Sequence, residues 1–242
     1  VRQLLLGRPV PSAKARAFML HGLIAFWFKL LNDWGYLGVG VLMAMESSIF
    51  PVPSEVVLPP AAYWASKGAV DPLTGWPITF WGVVIASTVG SWVGSAITYW
   101  VALKAGRAFI VRFGKWVHIT PEKSERAERF VHRYEAGGIF FARLLPVVRH
   151  LISIPAGIIK MNFLTFSIMT TLGAFAWSWI LAKFSLHVFA KHPEVDILGQ
   201  PEAMVKLIKH ESLPLVGGIV VLCALYFLAM KLTAPRAEKS AA

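Results

Sequence analysis

Two apolar stretches of this chain are interrupted by prolines and carry charged residues where lipid would not tolerate them. The first reads Glu46-Ser-Ser-Ile-Phe-Pro51-Val-Pro53-Ser-Glu55, and the second reads Arg143-Leu-Leu-Pro146-Val-Val-Arg149. An ionised side chain at the centre of a bilayer costs at least about 2.5–3.5 kcal/mol, so it persists where a partner or water faces it. Two acids in one stretch and two arginines in the other therefore predict a single polar site inside a membrane protein.

The composition agrees with a membrane protein. Hydrophobic residues make up 56% of the chain and charged residues only 15%, whereas a soluble domain carries roughly 25% charged residues. The formal net charge of +11 is better explained by basic cytoplasmic loops than by nucleic-acid binding, since no nucleic-acid-binding motif accompanies it. One cysteine and scattered histidines exclude a disulfide framework and predict neither a metal site nor a cofactor.

Four segments are predicted to cross the membrane as helices. A spanning helix needs about 20 predominantly apolar residues, and four apolar runs of the chain reach or approach that length. The first and shortest candidate contains Lys29, so an arrangement in which it lies flat at the interface stays open. The four predicted crossings are 17–31, 77–103, 163–184 and 213–232.

The two proline-broken stretches are too short to span. Limbs of 12 to 14 residues cover only about 18–21 Å of the roughly 30 Å hydrocarbon core. Prolines cannot continue a helix, and non-helical backbone at membrane depth is tolerated only where protein or a cavity surrounds it. We therefore expect two re-entrant helical hairpins, at about 36–66 and 139–161, shaped by Pro51, Pro53, Pro146, Pro155 and Gly157.

The distribution of basic residues predicts the orientation. Residues 1–16, 104–135 and the tail 233–242 are rich in lysine and arginine, which favours the cytoplasmic side. The predicted fold is thus an all-α membrane protein with a single membrane domain, 17–232, and both termini in the cytoplasm. Within the basic loop, an apolar stripe predicts a cytoplasmic amphipathic helix at about 121–135. The two hairpins then enter from opposite faces, and their tips meet near the midplane.

Gly90 and Gly94 form a small-xxx-small pair in the second predicted crossing. Such pairs let another backbone approach closely where lipid supplies no hydrophobic drive. The expected partner is a hairpin of the same chain, with homodimerisation as the alternative, so monomer and homodimer both stay open. We expect Asp71 to be solvated in an outer turn, and Trp177 to be a packing or interface aromatic.

These motifs resemble those of the DedA membrane-protein family, also called the VTT or SNARE-associated domain. The resemblance spans about residues 30–185. One departure is Ser54-Glu55, where many members have Gly-Asp or Gly-Glu, which keeps the carboxylate. The residues that carry the resemblance are Glu46, Pro51-Val-Pro53-Ser-Glu55, Gly90, Gly94, Tyr99, Gly106-Arg107, Phe141-Ala-Arg143-Leu-Leu-Pro146-Val-Val-Arg149, Pro155-Ala-Gly157, Met161 and Gly173.

The resemblance implies a multi-pass protein of the bacterial cytoplasmic membrane that moves lipids between leaflets. Bacterial members are linked to returning undecaprenyl phosphate across the membrane and to the proton motive force, and eukaryotic relatives act as phospholipid scramblases. On the family's pattern, the acids of the first hairpin are Glu46 and Glu55, and the arginines of the second are Arg143 and Arg149.

Elementary chemistry suggests roles for these four residues. Arginine offers a planar fork for phosphate oxygens and stays charged, so Arg143 and Arg149 are predicted to bind the substrate. Carboxylates at membrane depth can take up and release protons, so Glu46 and Glu55 are predicted to couple transport to protons. In the alternative, both pairs are fixed ion pairs that hold the hairpin tips together. A lipid phosphatase using His150 is a further alternative, although the other elements of such an enzyme are missing from the sequence.

Overall fold

The computed structural model of the chain describes residues 13–48, 52–113, 137–145, 148–192 and 201–233. Within these residues the secondary structure is helical, apart from turns and one bridge between Val70 and Pro77, so the expected all-α fold is confirmed there. The predicted amphipathic helix at 121–135 and most of both termini lie outside the described residues. The helices are α1 (Ala13–Glu46), α2 (Ser54–Ser66), α3 (Phe80–Phe113), α4 (137–144), α5 (Ser153–Ile158), α6 (Phe163–Lys191) and α7 (Pro201–Thr233).

Three of the described helical segments are long and apolar enough to cross a membrane. They are Phe80–Ala105, Phe163–Lys191 and Lys206–Tyr226, and they coincide with the predicted crossings in α3, α6 and α7. The predicted crossing at 17–31 is not among them and forms the first part of α1. Both proline-broken stretches are built of short helices separated by turns, namely the end of α1 with α2, and α4 with α5.

A break at Gly35 divides α1 into two rods. Gly35 has a φ of 49° and a ψ of −123°, a left-handed conformation that glycine adopts without steric cost. The break leaves the backbone N–H of Tyr36 without its helical acceptor, and this N–H donates to Asp71 Oδ2 at 2.8 Å. A Cβ at position 35 would overlap that carboxylate. Position 35 therefore requires glycine for two reasons, namely its positive φ and the lack of space for a side chain.

Asp71 is the centre of the loop that joins α2 to α3, and the expectation that it is solvated is wrong. Only 1% of Asp71 is exposed. Its Oδ1 accepts hydrogen bonds from Leu73 N at 3.1 Å, Thr74 N at 2.8 Å and Thr74 Oγ1 at 2.9 Å. The loop folds back over the break in α1, which buries the carboxylate among backbone donors. A turn residue that caps its own loop cannot be told from a solvated one by sequence.

Asp71→Ala is expected to destabilise the protein by about 1–3 kcal/mol at neutral pH, since it leaves buried N–H donors without an acceptor. Burial raises the pKa of Asp71, but its hydrogen bonds from Tyr36 and Thr74 outweigh burial and hold the pKa below its ordinary value. The folded state thus binds fewer protons than the unfolded state. This stabilisation is complete above the unfolded pKa of about 3.9 and is lost as pH falls through the folded value. Thermal unfolding in detergent between pH 7 and pH 3 measures both effects; equal pH dependence in the variant and the parent protein would contradict them.

The second rod of α1 lies in backbone contact with α3. A Cβ at Gly90 would overlap the backbone of Gly40, and a Cβ at Gly94 would overlap the backbone of Ala44. The small-xxx-small pair therefore faces the first proline-broken stretch of the same chain. This contact carries Glu46, two residues beyond Ala44, to a fixed position beside α3.

Gly94→Leu is expected to lower the stability of the protein by about 1–3 kcal/mol or more, because the side chain cannot be accommodated without separating the two helices. Thermal unfolding in detergent measures the loss. Gly218→Leu on α7 is the matched control, since a Cβ at Gly218 meets nothing within 4 Å. Equal midpoints for the two variants would show that the α1–α3 contact contributes little.

The second proline-broken stretch packs against α3 further along the helix, next to Tyr99. A Cβ at Gly157 in α5 would overlap the backbone carbonyl of Tyr99, so the two backbones touch there as well. The Tyr99 hydroxyl donates to the Met161 carbonyl just after α5. Consequently α3 is in backbone contact with both stretches.

Candidate functional site

Arg149 and Glu46 form a buried ion pair. Arg149 Nη2 contacts Glu46 Oε1, and 6% of Arg149 and 3% of Glu46 are exposed. The same guanidinium nitrogen donates to Ser54 Oγ at 2.7 Å. Ser54 in turn donates its backbone N–H to Glu46 Oε1 at 2.9 Å. Because Glu46 ends α1 and Ser54 begins α2, the pair joins both limbs of the first stretch to the second.

Trp177 of α6 completes the surroundings of Arg149. The Arg149 guanidinium carbon lies 4.5 Å from the centre of the Trp177 ring, a cation–π geometry. The indole Nε1 donates to Ser54 Oγ at 3.3 Å. Trp177 is buried, so the ring both contacts the cation and fixes the serine that the cation binds.

Arg143 has a different kind of environment. Its Nη2 donates to Ser95 Oγ of α3 and, at 3.0 Å, to Ser153 Oγ of α5. The Ser95 hydroxyl in turn donates to the Ser91 carbonyl at 2.6 Å. Only 3% of Arg143 is exposed, and it makes no ion pair with a carboxylate within the described part of the chain. Its charge is therefore buried against neutral hydroxyls.

The site carries more positive than negative charge. It holds two guanidinium groups and one carboxylate, Glu46. The Nε atoms of Arg143 and Arg149 are buried and have no hydrogen-bond partner among the described residues. A buried cation without a counter-ion is costly, and unused N–H donors add to that cost. The arrangement favours an anion with several acceptor oxygens.

A small cavity lies between the two arginines. Its volume is about 10 Å³, and Glu46, Ser91, Arg143, Arg149 and His150 are among the residues that line it. A volume of this size holds about one water molecule, so this conformation is closed to anything as large as a phosphate group. A phosphate group would fit there only if the residues that line the cavity moved apart.

The sequence matches the VTT domain over residues 52–186, which is more than half of the chain. The chain belongs to the VTT domain family. Undecaprenyl phosphate transporter A of Bacillus subtilis is 31% identical over 89% of this chain and 98% of that protein. Its namesake in Staphylococcus aureus is 29% identical over 62% of this chain and 72% of that protein. An alkaline phosphatase-like protein of Lactococcus lactis is 34% identical over 64% and 71%, respectively. No solved structure gives a significant match.

The predicted site residues of this VTT domain protein fall into three groups. Glu46, Arg143 and Arg149 come together in the buried site. Glu55 lies half-buried in the first turn of α2, and it makes no ion pair with either arginine among the described residues. Pro53 precedes α2 as its N-cap residue, and Pro155 and Gly157 lie buried in α5, whereas Pro51 and Pro146 fall outside the described residues.

Sequence reasoning missed four contributors to the site in this family member. They are the three serines at positions 54, 95 and 153 and Trp177. Ser54 stood next to a predicted site residue, and Ser95 directly follows the packing glycine Gly94. Trp177 gave no such signal, since it is one of ten tryptophans in an apolar chain.

Proposed function

We propose that this protein moves a phosphate-headed lipid, undecaprenyl phosphate, between the leaflets of the bacterial cytoplasmic membrane, with both termini in the cytoplasm. The observation that carries the proposal is Arg143, a buried cation whose described partners are hydroxyls alone. A lipid phosphate supplies the missing counter-ion and acceptors for both unused Nε atoms. The names of the transporter A relatives support the same cargo.

Glu46 gives the proposal a coupling step. In the closed conformation its carboxylate occupies Arg149, so it competes with a phosphate for the same guanidinium. A proton on Glu46 cancels its charge, weakens the ion pair and releases Arg149 to the lipid headgroup. Loss of that proton on the other side restores the pair and expels the phosphate. Glu55, in the first turn of α2, is proposed to relay protons to Glu46.

The test is reconstitution in liposomes of phosphatidylethanolamine and phosphatidylglycerol. Leaflet exchange of labelled undecaprenyl phosphate is compared with exchange of labelled phosphatidylethanolamine, with and without a pH gradient. Faster exchange of the phosphate-headed lipid, accelerated by the gradient, is expected. Equal rates for both lipids with no effect of the gradient would replace the proposal with a non-selective scramblase.

Arg149→Lys is expected to slow exchange of undecaprenyl phosphate by about tenfold, because lysine lacks the planar fork that binds two phosphate oxygens and stacks on an indole ring. The liposome assay measures the rate. Lys183→Arg on α6 is the control, since it replaces one basic residue by the other outside the site. Full activity of Arg149→Lys would restrict Arg149 to a simple ion pair with Glu46.

A second candidate function is phosphate release from the lipid. His150 lines the same cavity as the two arginines, and one group of relatives carries a phosphatase-like name. Histidine can attack a phosphate that arginines hold. Free phosphate from undecaprenyl phosphate incubated with purified protein, and its loss in His150→Ala, would establish this activity. No release during complete leaflet exchange would exclude it.

A further inference from the structure

An apolar groove follows the outer surface of α3 away from the buried site. Its first section, of about 540 Å³, lies between α3 and the second rod of α1, and Leu37, Val41, Val89 and Val93 are among its lining residues. Its second section, of about 430 Å³, continues along α3 from Val93 to Lys104. The two sections meet at Val93, which lines both, and we call them together the α3 furrow.

The α3 furrow follows one stripe of the helix. Its α3 residues recur every three or four positions, which places them on one face. In the second section, Ala96 lies between Trp92 and Trp100 on adjacent turns, so a small side chain leaves a notch between two indole rings. The α3 residues that line the two sections are Ala86, Val89, Gly90, Trp92, Val93, Ala96, Ile97, Trp100, Val101 and Lys104.

The length of the α3 furrow restricts what can occupy it. From Ala86 to Lys104 the helix rises by about 27 Å, nearly the full thickness of a bilayer core of about 30 Å. An acyl chain of a phospholipid reaches only through its own leaflet, about half of that distance. A furrow of this length fits a single hydrocarbon chain that is longer than one leaflet.

One end of the α3 furrow is cationic. Lys104 is exposed there, and the sequence adds Arg107 and Arg112 with no acidic residue between positions 104 and 113. At the opposite end, the carboxylate of Asp71 is occupied by hydrogen bonds from its own loop and from Tyr36. A basic residue at a membrane interface attracts an anionic headgroup, so charge complementarity orients the occupant.

We propose that the α3 furrow is a second binding site, which holds the chain of one polyisoprenyl phosphate with its phosphate at Lys104. This lipid class rests on the proposed function, whereas the site is separate from the buried arginines. The α3 furrow keeps one lipid of the cargo class at the surface of the protein, on a different face of α3 from Ser95, which contacts Arg143. Within lipid, contacts form through close packing rather than through hydrophobic drive. The notch at Ala96 gives the hydrocarbon chain a surface against which it can pack closely.

Photolabelling in nanodiscs of phosphatidylethanolamine and phosphatidylglycerol tests the site. The probe is a polyisoprenyl phosphate with a diazirine on its chain, and labelled residues are mapped by mass spectrometry. We expect labels along residues 89–101, removed by excess undecaprenyl phosphate and not by excess phosphatidylglycerol. Val93→Trp is expected to lower labelling at least about threefold, while Leu172→Trp, at an exposed position of α6, leaves it unchanged. Unchanged labelling in Val93→Trp, or equal competition by phosphatidylglycerol, overturns the proposal.

Three further variants separate this site from its alternatives. Lys104→Gln is expected to lower labelling by the phosphate probe about fivefold and to leave labelling by an uncharged polyisoprenol probe unchanged; equal effects on both probes overturn the role of Lys104. Arg149→Ala is expected to keep the labelling while leaflet exchange falls. Loss of labelling in this variant would contradict a separate site in the α3 furrow, whereas an unchanged exchange rate would contradict the proposed function. Val93→Cys in a Cys223→Ala background tests for a second copy. A disulfide-linked dimer through position 93 overturns lipid occupancy.

Discussion

Arg143→Ala should slow leaflet exchange of undecaprenyl phosphate by about 10- to 150-fold, the loss expected when a charged hydrogen-bonding partner of a phosphate is removed. Arg143 donates to Ser95 and Ser153 and makes no ion pair with a carboxylate among the described residues, so its guanidinium is the group proposed to bind the cargo. The liposome assay measures the rate. Lys29→Ala, which removes a cation from an exposed surface pair with Asp33, is expected to exchange lipid at the parental rate.

Folding and function can be separated in this test. Arg143→Lys keeps the buried charge and loses the fork, so it should fold and transport at an intermediate rate. Thermal unfolding in detergent shows whether each variant is folded. Parental exchange rates in a folded Arg143→Ala protein would contradict the proposed phosphate site.

Glu46→Leu should destabilise the protein by about 3–5 kcal/mol, because it leaves the Arg149 guanidinium buried without its counter-ion. The double variant Glu46→Leu/Arg149→Met should recover most of that loss, since apolar side chains of similar volume replace a buried pair at little cost. Both proteins should be unable to transport. Thermal unfolding in detergent measures the stability, and the liposome assay measures the transport.

The surface pair of Lys29 and Asp33 provides the matched comparison for this cycle. Asp33→Leu should change the unfolding midpoint little, because water screens an exposed pair. If the double variant is as unstable as Glu46→Leu alone, the uncompensated charge of Arg149 is not the cause of the instability, and the two side chains stabilise the fold by other contacts. Transport by the double variant would show that the ion pair serves packing and that lipid crosses elsewhere.

The sequence was most informative at charged residues and prolines that lie within apolar segments. Charged residues and prolines in apolar surroundings predicted that Glu46 and Arg149 share a site, because lipid tolerates neither of them alone. Helix lengths predicted α3, α6 and α7 for the same reason. These inferences needed no knowledge of which helix faces which, since the bilayer itself restricts the arrangement.

Features that depend on tertiary contacts could not be read from the sequence. Arg143 and Arg149 are six residues apart, yet one contacts a carboxylate and the other only hydroxyls. That difference arises from where α3 and α5 place Ser95 and Ser153. Likewise, the burial of Asp71 depends on the break at Gly35, and neither residue signals the other across 35 intervening positions.

The ion pair between Glu46 and Arg149 also sets a demand on protein synthesis. The two residues are 103 positions apart, and at about 5–20 residues per second the ribosome needs roughly 5–20 s to make the intervening chain. During that interval α3 can already pack against the end of α1 through Gly90 and Gly94, while the Glu46 carboxylate still lacks its arginine partner. Until Arg149 has been made, water or a proton must therefore take the place of the arginine beside Glu46, because a bare carboxylate at membrane depth is costly.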